Sequence, residues 1–221
     1  MGDSRPDAIR CGLVDLHSTI HWHGVLVTSA PGGQGGFMSG RFWRVLGSGW
    51  FPAAAMAVFA AFMPLVLVPY AERAAAYTPE GGGFDTTFFY SPGQALDRAA
   101  AFDVPGRFAY IADRWTLDLV WPLVYGAFLA SASAFALRRL GEGDGFAAAF
   151  RILVLLGPVL DYGENIAATV LVASVPARPL GWAWAASVLT PAKWIAIAAA
   201  GAGVLGLYAA LAIRGFRASR P

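Results

Sequence analysis

Four long apolar runs, almost free of charge in their interiors, constrain this chain more than any other feature. They cover about residues 50–70, 112–137, 146–174 and 182–213. A helix needs about 20 such residues to cross the ~30 Å hydrocarbon core of a bilayer. Inside lipid the backbone must satisfy its own hydrogen bonds, which an α-helix does within one segment. The reading is therefore an all-α, polytopic membrane protein with four transmembrane helices in one domain, about 47–214. A leader over 1–46 and a short basic tail over 215–221 flank it.

Composition supports this. Of 221 residues, 57% are hydrophobic and only 14% charged, against about a quarter charged in soluble domains. The net charge of +2 is small and its arginines sit at segment ends. No clustered basic face points to nucleic acid. One cysteine, Cys11, precludes an internal disulfide. The three histidines, His17, His21 and His23, all precede Met38. Beyond Met38 neither histidine nor cysteine is present, so His-ligated haem, His/Cys zinc and a thiol nucleophile have no residues to use. No metal and no cofactor is expected. The glycine-rich stretch 32–36 before Met38 reads as a loop, and residues 1–37 as a disordered tail or an over-extended reading frame.

The first run is longer than the 7–15-residue apolar core of a signal peptide, and reads as an anchor. In the fourth, Thr190-Pro191 has the form of an N-cap followed by Pro at the first helical position. The lipid-spanning helix is expected to start there, with a Pro kink as the alternative. Between the first two runs, Ser91-Pro92 opens a helix over 92–103 with Ala95, Leu96, Ala99 and Phe102 on one face, an amphipathic helix in a long loop. Small residues at every fourth position, Gly126, Ala130 and Ala134, then Ala199 with Gly203 and Ala202 with Gly206, suit close helix packing.

Arg41, Arg44, Arg138, Arg139, Arg151, Arg214, Arg217 and Arg220 gather at one end of the predicted bundle. Positive residues mark cytoplasmic loops, so both termini are expected to be cytoplasmic and the 71–111 loop outside.

Ionisable residues within the runs are the functional candidates, because such groups are costly in lipid and usually face a protein interior or cavity. Asp161, Glu164 and Asn165 are three or four apart and share one side of a helix. Lys193 is the only lysine in the chain. It and Glu164 lie equally many residues from the centre of the hairpin loop between Arg178 and Pro179, hence at equal depth. A Glu–Lys pair there offsets the cost of either charge alone. Asp118 precedes Pro122, whose missing N–H frees a backbone carbonyl for another donor, and Tyr125 shares its face. Arg114, at i−4 from Asp118, is a further cation; Arg107 and Tyr110 are secondary candidates that equally read as loop anchors. Buried polar groups can also serve only to hold helices together.

These residues resemble a family of small bacterial four-helix integral membrane proteins. The matching positions are Tyr90-Ser91-Pro92, Gly106-Arg107 with Tyr110, Asp118 with Pro122 and Tyr125, Pro158 with Asp161, Glu164-Asn165, Pro176, and Thr190 with Lys193-Trp194. The resemblance implies the four-helix topology, a bacterial inner membrane and a common purpose for these positions, and it implies no activity. Three functions fit the residues. The first is a binding protein or accessory subunit whose outer-half site takes a lipophilic ligand or a partner helix. The second is an enzyme using carboxylates for acid–base chemistry on a lipid or isoprenoid; four-helix sterol-isomerase and emopamil-binding proteins resemble this chain only in outline. The third is a small proton-coupled transporter acting as a homo-oligomer. The lack of redox and nucleophilic residues leans toward binding.

Overall fold

The computed structural model describes residues 40–80 and 82–219. In chain order the helices are α1 (Gly40–Leu46), α2 (Phe51–Phe62), α3 (Val68–Ala75), α4 (Pro92–Ala101), α5 (Val104–Arg114), α6 (Leu117–Leu140), α7 (Asp144–Ala173) and α8 (Leu180–Ala218). A π-helical turn, Met63–Leu67, joins α2 to α3, and a 3₁₀ turn, Phe84–Thr86, lies in the long connection after α3. No strand occurs among the described residues.

Four helices are long and apolar enough to cross a membrane: Phe51–Ala75, Val104–Leu140, Asp144–Ala173 and Leu180–Ala218. α7 and α8 form an antiparallel hairpin, α6 packs on both, and α2 lies outside against α6. None of the residues of α2, the π turn or α3 is buried, so this segment is peripheral to the bundle. The π turn has a local cause. Pro64 has no N–H and its ring crowds the preceding turn; Val68 then bonds back to the Met63 carbonyl, five residues earlier.

The structure departs from the sequence reading in four places. The ordered domain begins before residue 47: α1 is helical, with Trp43 and Leu46 buried. The expected 1–46 leader therefore ends no later than residue 39, and its remainder, like residues 1–37 and the histidines, lies outside the described residues. At the other end α8 continues to Ala218, into the expected tail. The second run is a broken helix. Thr116 Oγ1 accepts no cap bond but donates to the Ala112 carbonyl at 2.9 Å, a side-chain bond that competes with the helical ladder. Finally, α8 is one continuous helix through Pro191. Thr190 does not cap it, because its hydroxyl is used inside the bundle. At about 1.5 Å per residue α8 is about 58 Å long, more than the ~30 Å thickness of a bilayer's hydrocarbon core.

The helix expected over 92–103 spans Pro92–Ala101. Ser91 and Gln94 form a reciprocal capping box with Pro92 in the first turn, and Ala95, Leu96 and Ala99 are buried. The small-residue stripe of α6 is also buried at Gly126, Ala130 and Ala134. In α8 the packed stripe is instead Ala196, Ala200, Val204 and Leu207, while Ala199, Ala202 and Gly206 are exposed.

Two apolar cores result. One gathers Trp43, Leu129, Leu137, Phe150, Val154 and Val204 toward the arginine-rich end. The other gathers Phe84, Tyr90, Phe102, Leu171, Val172 and Ala186 toward the end carrying the 76–103 connection. The polar residues of α7 and α8 lie between them.

Candidate functional site

The site is built where three helices carry an internal proline. Pro122, Pro158 and Pro191 interrupt α6, α7 and α8. Pro122 cannot donate to the carbonyl of Asp118, four residues earlier, and the Asn165 amide donates to that carbonyl at 3.3 Å. The sequence predicts a freed carbonyl near Pro122 without naming its donor; a side chain of the next helix fills the gap.

Lys193 is the centre. Its ammonium pairs with Glu164, with Asp161 Oδ1 at 3.1 Å and with Asp85 Oδ1 at 2.9 Å. Its side chain is 5% exposed and that of Glu164 0%, so desolvation is nearly complete and only pairing keeps such charges tolerable. Arg114 forms the second cationic node. It pairs with Asp118 at 2.8 Å and with Asp85, and donates to Asn165 Oδ1 at 3.1 Å. Tyr125 donates to Asp161 Oδ2 at 3.1 Å. The other oxygen of Glu164 accepts from Thr190; with that proton used, Thr190 Oγ1 accepts from Tyr90 at 2.6 Å.

Every primary candidate is therefore in one network: Asp118, Tyr125, Asp161, Glu164, Asn165 and Lys193. Of the secondary three, Arg114 belongs to it. Arg107 does not; its Nε donates to the Phe102 carbonyl at 3.0 Å and fastens the α4–α5 junction. Tyr110 is buried under Arg114, whose guanidinium lies 4.6 Å from the ring centroid, and its hydroxyl has no hydrogen-bond partner.

Three members were not singled out in the sequence as site residues: Asp85, Tyr90 and Thr190. Asp85 matters most. It comes from the 3₁₀ turn in the connection between α3 and α4, and its two oxygens bridge Arg114 and Lys193. Burial alone would raise its pKa, but the Arg114 guanidinium and Lys193 ammonium outweigh this and hold the carboxyl well below the usual carboxylate range. Burial pushes the Tyr90 phenol above its ordinary value, so it stays a neutral donor.

Four carboxylates, Asp85, Asp118, Asp161 and Glu164, thus meet two cations, a formal excess of two negative charges. The network is not sealed. A cleft of about 170 Å³ reaches Asp118, Asp161 and Lys193 between Tyr70, Trp121 and Trp194. A second, of about 430 Å³, opens under the Tyr77–Pro79 turn. Tyr70, Asp85 and Arg114 line both, and the Asp85 side chain is 34% exposed. Among the described residues no group of three or more metal-ligating side chains has a metal-binding arrangement. Compared with protein-family models, curated proteins and solved structures, the chain matches none.

Proposed function

We propose that this chain is a membrane-embedded binding protein or accessory subunit whose polar network receives the cationic head of a lipophilic ligand. The observation that carries the reading is the smaller cleft. It sets three aromatic side chains beside carboxylates in a cluster of four carboxyl groups and two cationic side chains. An amine or quaternary ammonium is stabilised by aromatic faces and by carboxylates together, and its charge would offset an excess that is costly in low dielectric. The ligand's tail would leave past Leu67 and Ile197, which line the same cleft. In this reading the 76–103 connection lies on the outer side with α4 at the membrane surface, both termini are cytoplasmic, and Asp85 closes the site from outside.

The test uses purified protein in nanodiscs and hexadecyltrimethylammonium carrying a photoreactive group next to the head. Saturable labelling of peptides containing Trp121 or Trp194, reduced about tenfold or more by Asp118→Asn with Asp161→Asn, is expected. Equal labelling by a hexadecanoate probe would overturn the cationic reading.

A second reading has its own support. Asp118 and Asp161 line the cleft directly, so a bound lipid or isoprenoid could exchange a proton with either. Unchanged lipid extracts from cells lacking the protein would remove it.

A further inference from the structure

The arginine-rich end carries a second recess, far from Lys193 along α6 and α8. An apolar groove of about 530 Å³ runs between α2, α6 and α8, lined among others by Ala53, Met56, Phe128, Leu205 and Tyr208. At its mouth lies a polar hollow of about 250 Å³ formed by residues 47–49 with Arg138 and Arg139. The two are continuous, since Gly49 and Phe135 line both. The geometry is fixed by close packing. A Cβ on Gly47 would stand 2.7 Å from the Ala134 backbone, so only glycine lets the turn before α2 lie against α6.

The two arginines at the mouth are not ion-paired among the described residues, and Glu142 and Asp144 line a separate recess beside Arg138. Arg138 Nη1 donates to the carbonyls of Gly47 at 2.8 Å and Arg44 at 3.1 Å, bonds that hold the turn and cancel no charge. The Arg139 guanidinium rests 4.8 Å from the Phe135 ring centroid, above the groove.

We infer that this recess seats one acyl chain of an anionic phospholipid, with the phosphate held by Arg139 and Arg138. An apolar groove between helices of this kind, if the bundle lies in a bilayer, is covered by lipid chains, and two unpaired arginines at its mouth select an anionic head. Basic pockets between transmembrane helices bind such heads, at roughly 1 kcal/mol per arginine, or about fivefold in affinity. The inference needs the bundle in a membrane but not the ligand reading above.

The experiment is native mass spectrometry of the purified full chain in detergent with equimolar dioleoylphosphatidylglycerol and dioleoylphosphatidylcholine. Wild-type protein is expected to retain the glycerol lipid preferentially. Arg139→Gln should lower its retention about fivefold and lower that of the choline lipid, whose own ammonium offsets its phosphate, by much less; Arg139 is the test position because Arg138 also holds the turn. Ala53→Trp, an exposed position that fills the groove, should reduce retention of both. Excess glycerol phosphate, a head without a chain, should displace nothing. Equal retention of the two lipids by wild type, or an unaffected Arg139→Gln, overturns the anionic headgroup site. Unaffected retention in Ala53→Trp, or displacement by glycerol phosphate, overturns the chain seat.

Discussion

Removing Lys193 while keeping its shape tests whether the network is an electrostatic unit. Lys193→Met strands Glu164, whose side chain is fully buried, and Asp161, at 8% exposure, without their shared cation. Breaking a buried pair by deleting one partner costs about 3–5 kcal/mol, because the survivor is left charged and desolvated. The upper half of that range applies, since one ammonium serves three carboxylates here. Glu164→Gln alone removes one negative charge from a cluster that has too many, and it keeps an oxygen for the Thr190 hydroxyl. It should cost less than about 1.5 kcal/mol. In the double variant Glu164 is no longer stranded while Asp161 still is, so the two effects should fall short of additive by roughly 1–3 kcal/mol, the range for residues in one network. The assay is unfolding in mixed micelles by titration with sodium dodecyl sulfate, followed by tryptophan fluorescence, for wild type, both singles and the double. A Lys193→Met variant within about 0.5 kcal/mol of wild type, the range of an indifferent surface change, would refute the reasoning. So would strict additivity.

Tyr110→Phe removes a buried hydroxyl that has no partner, so it should be neutral or stabilise by up to about 1 kcal/mol in the same titration, where loss of a satisfied hydroxyl would destabilise. Gly126→Val should cost about 1–3 kcal/mol by overpacking, since a Cβ there would meet Pro158 Cγ at 2.9 Å; a variant as stable as wild type would show that α6 and α7 do not meet at that point. The pH dependence of the 76–90 connection follows from Asp85. Its folded pKa is lowered by Arg114 and Lys193, so its contribution is complete above the ordinary carboxylate value of about 4 and lost as pH falls below it. Hydrogen exchange of 76–90 should therefore show constant docking from neutral pH to about 4 and loosening below, and Asp85→Asn should loosen it at every pH. Loosening of wild type between pH 7 and 5 would contradict this.

What could be seen in the sequence was whatever depends on helix periodicity. Equal spacing from the hairpin loop put Glu164 level with Lys193, and a missing N–H at Pro122 predicted a free carbonyl at Asp118, now occupied by Asn165. Both follow from chain geometry within or between adjacent helices. Thr190 failed for the converse reason. Thr-Pro has the local chemistry of a helix start, but the tertiary bond from Thr190 to Glu164 and the packing of Ala183 and Ala186 favour a helix that runs through. Local propensity yields to packing when the apolar surface at stake is larger.

Asp85 was illegible because nothing local marks it. It sits 29 residues from Arg114 and 108 from Lys193, on a glycine-flanked connection with no period to place it. Its neighbour Phe84 is the physical reason it reaches the site: fully buried against Tyr90 and Tyr110, it plugs the connection into the upper core, and the next residue is then aimed at the two cations. The helices bring together three carboxylates and two cations, with Asp118 on Arg114 and with Asp161 and Glu164 on Lys193. The connection adds a fourth carboxylate, which raises the formal excess from one negative charge to two. That added charge is the only one of the four carboxylates supplied by a loop, and it lines both clefts. A cationic head entering beside Asp118 and Asp161 would compete with Arg114 and Lys193 for Asp85, so binding and loosening of the connection should occur together. In the hydrogen-exchange experiment, hexadecyltrimethylammonium at neutral pH should change protection of 76–90 in wild type and leave it unchanged in Asp85→Asn. An identical response in both would separate the loop from the site.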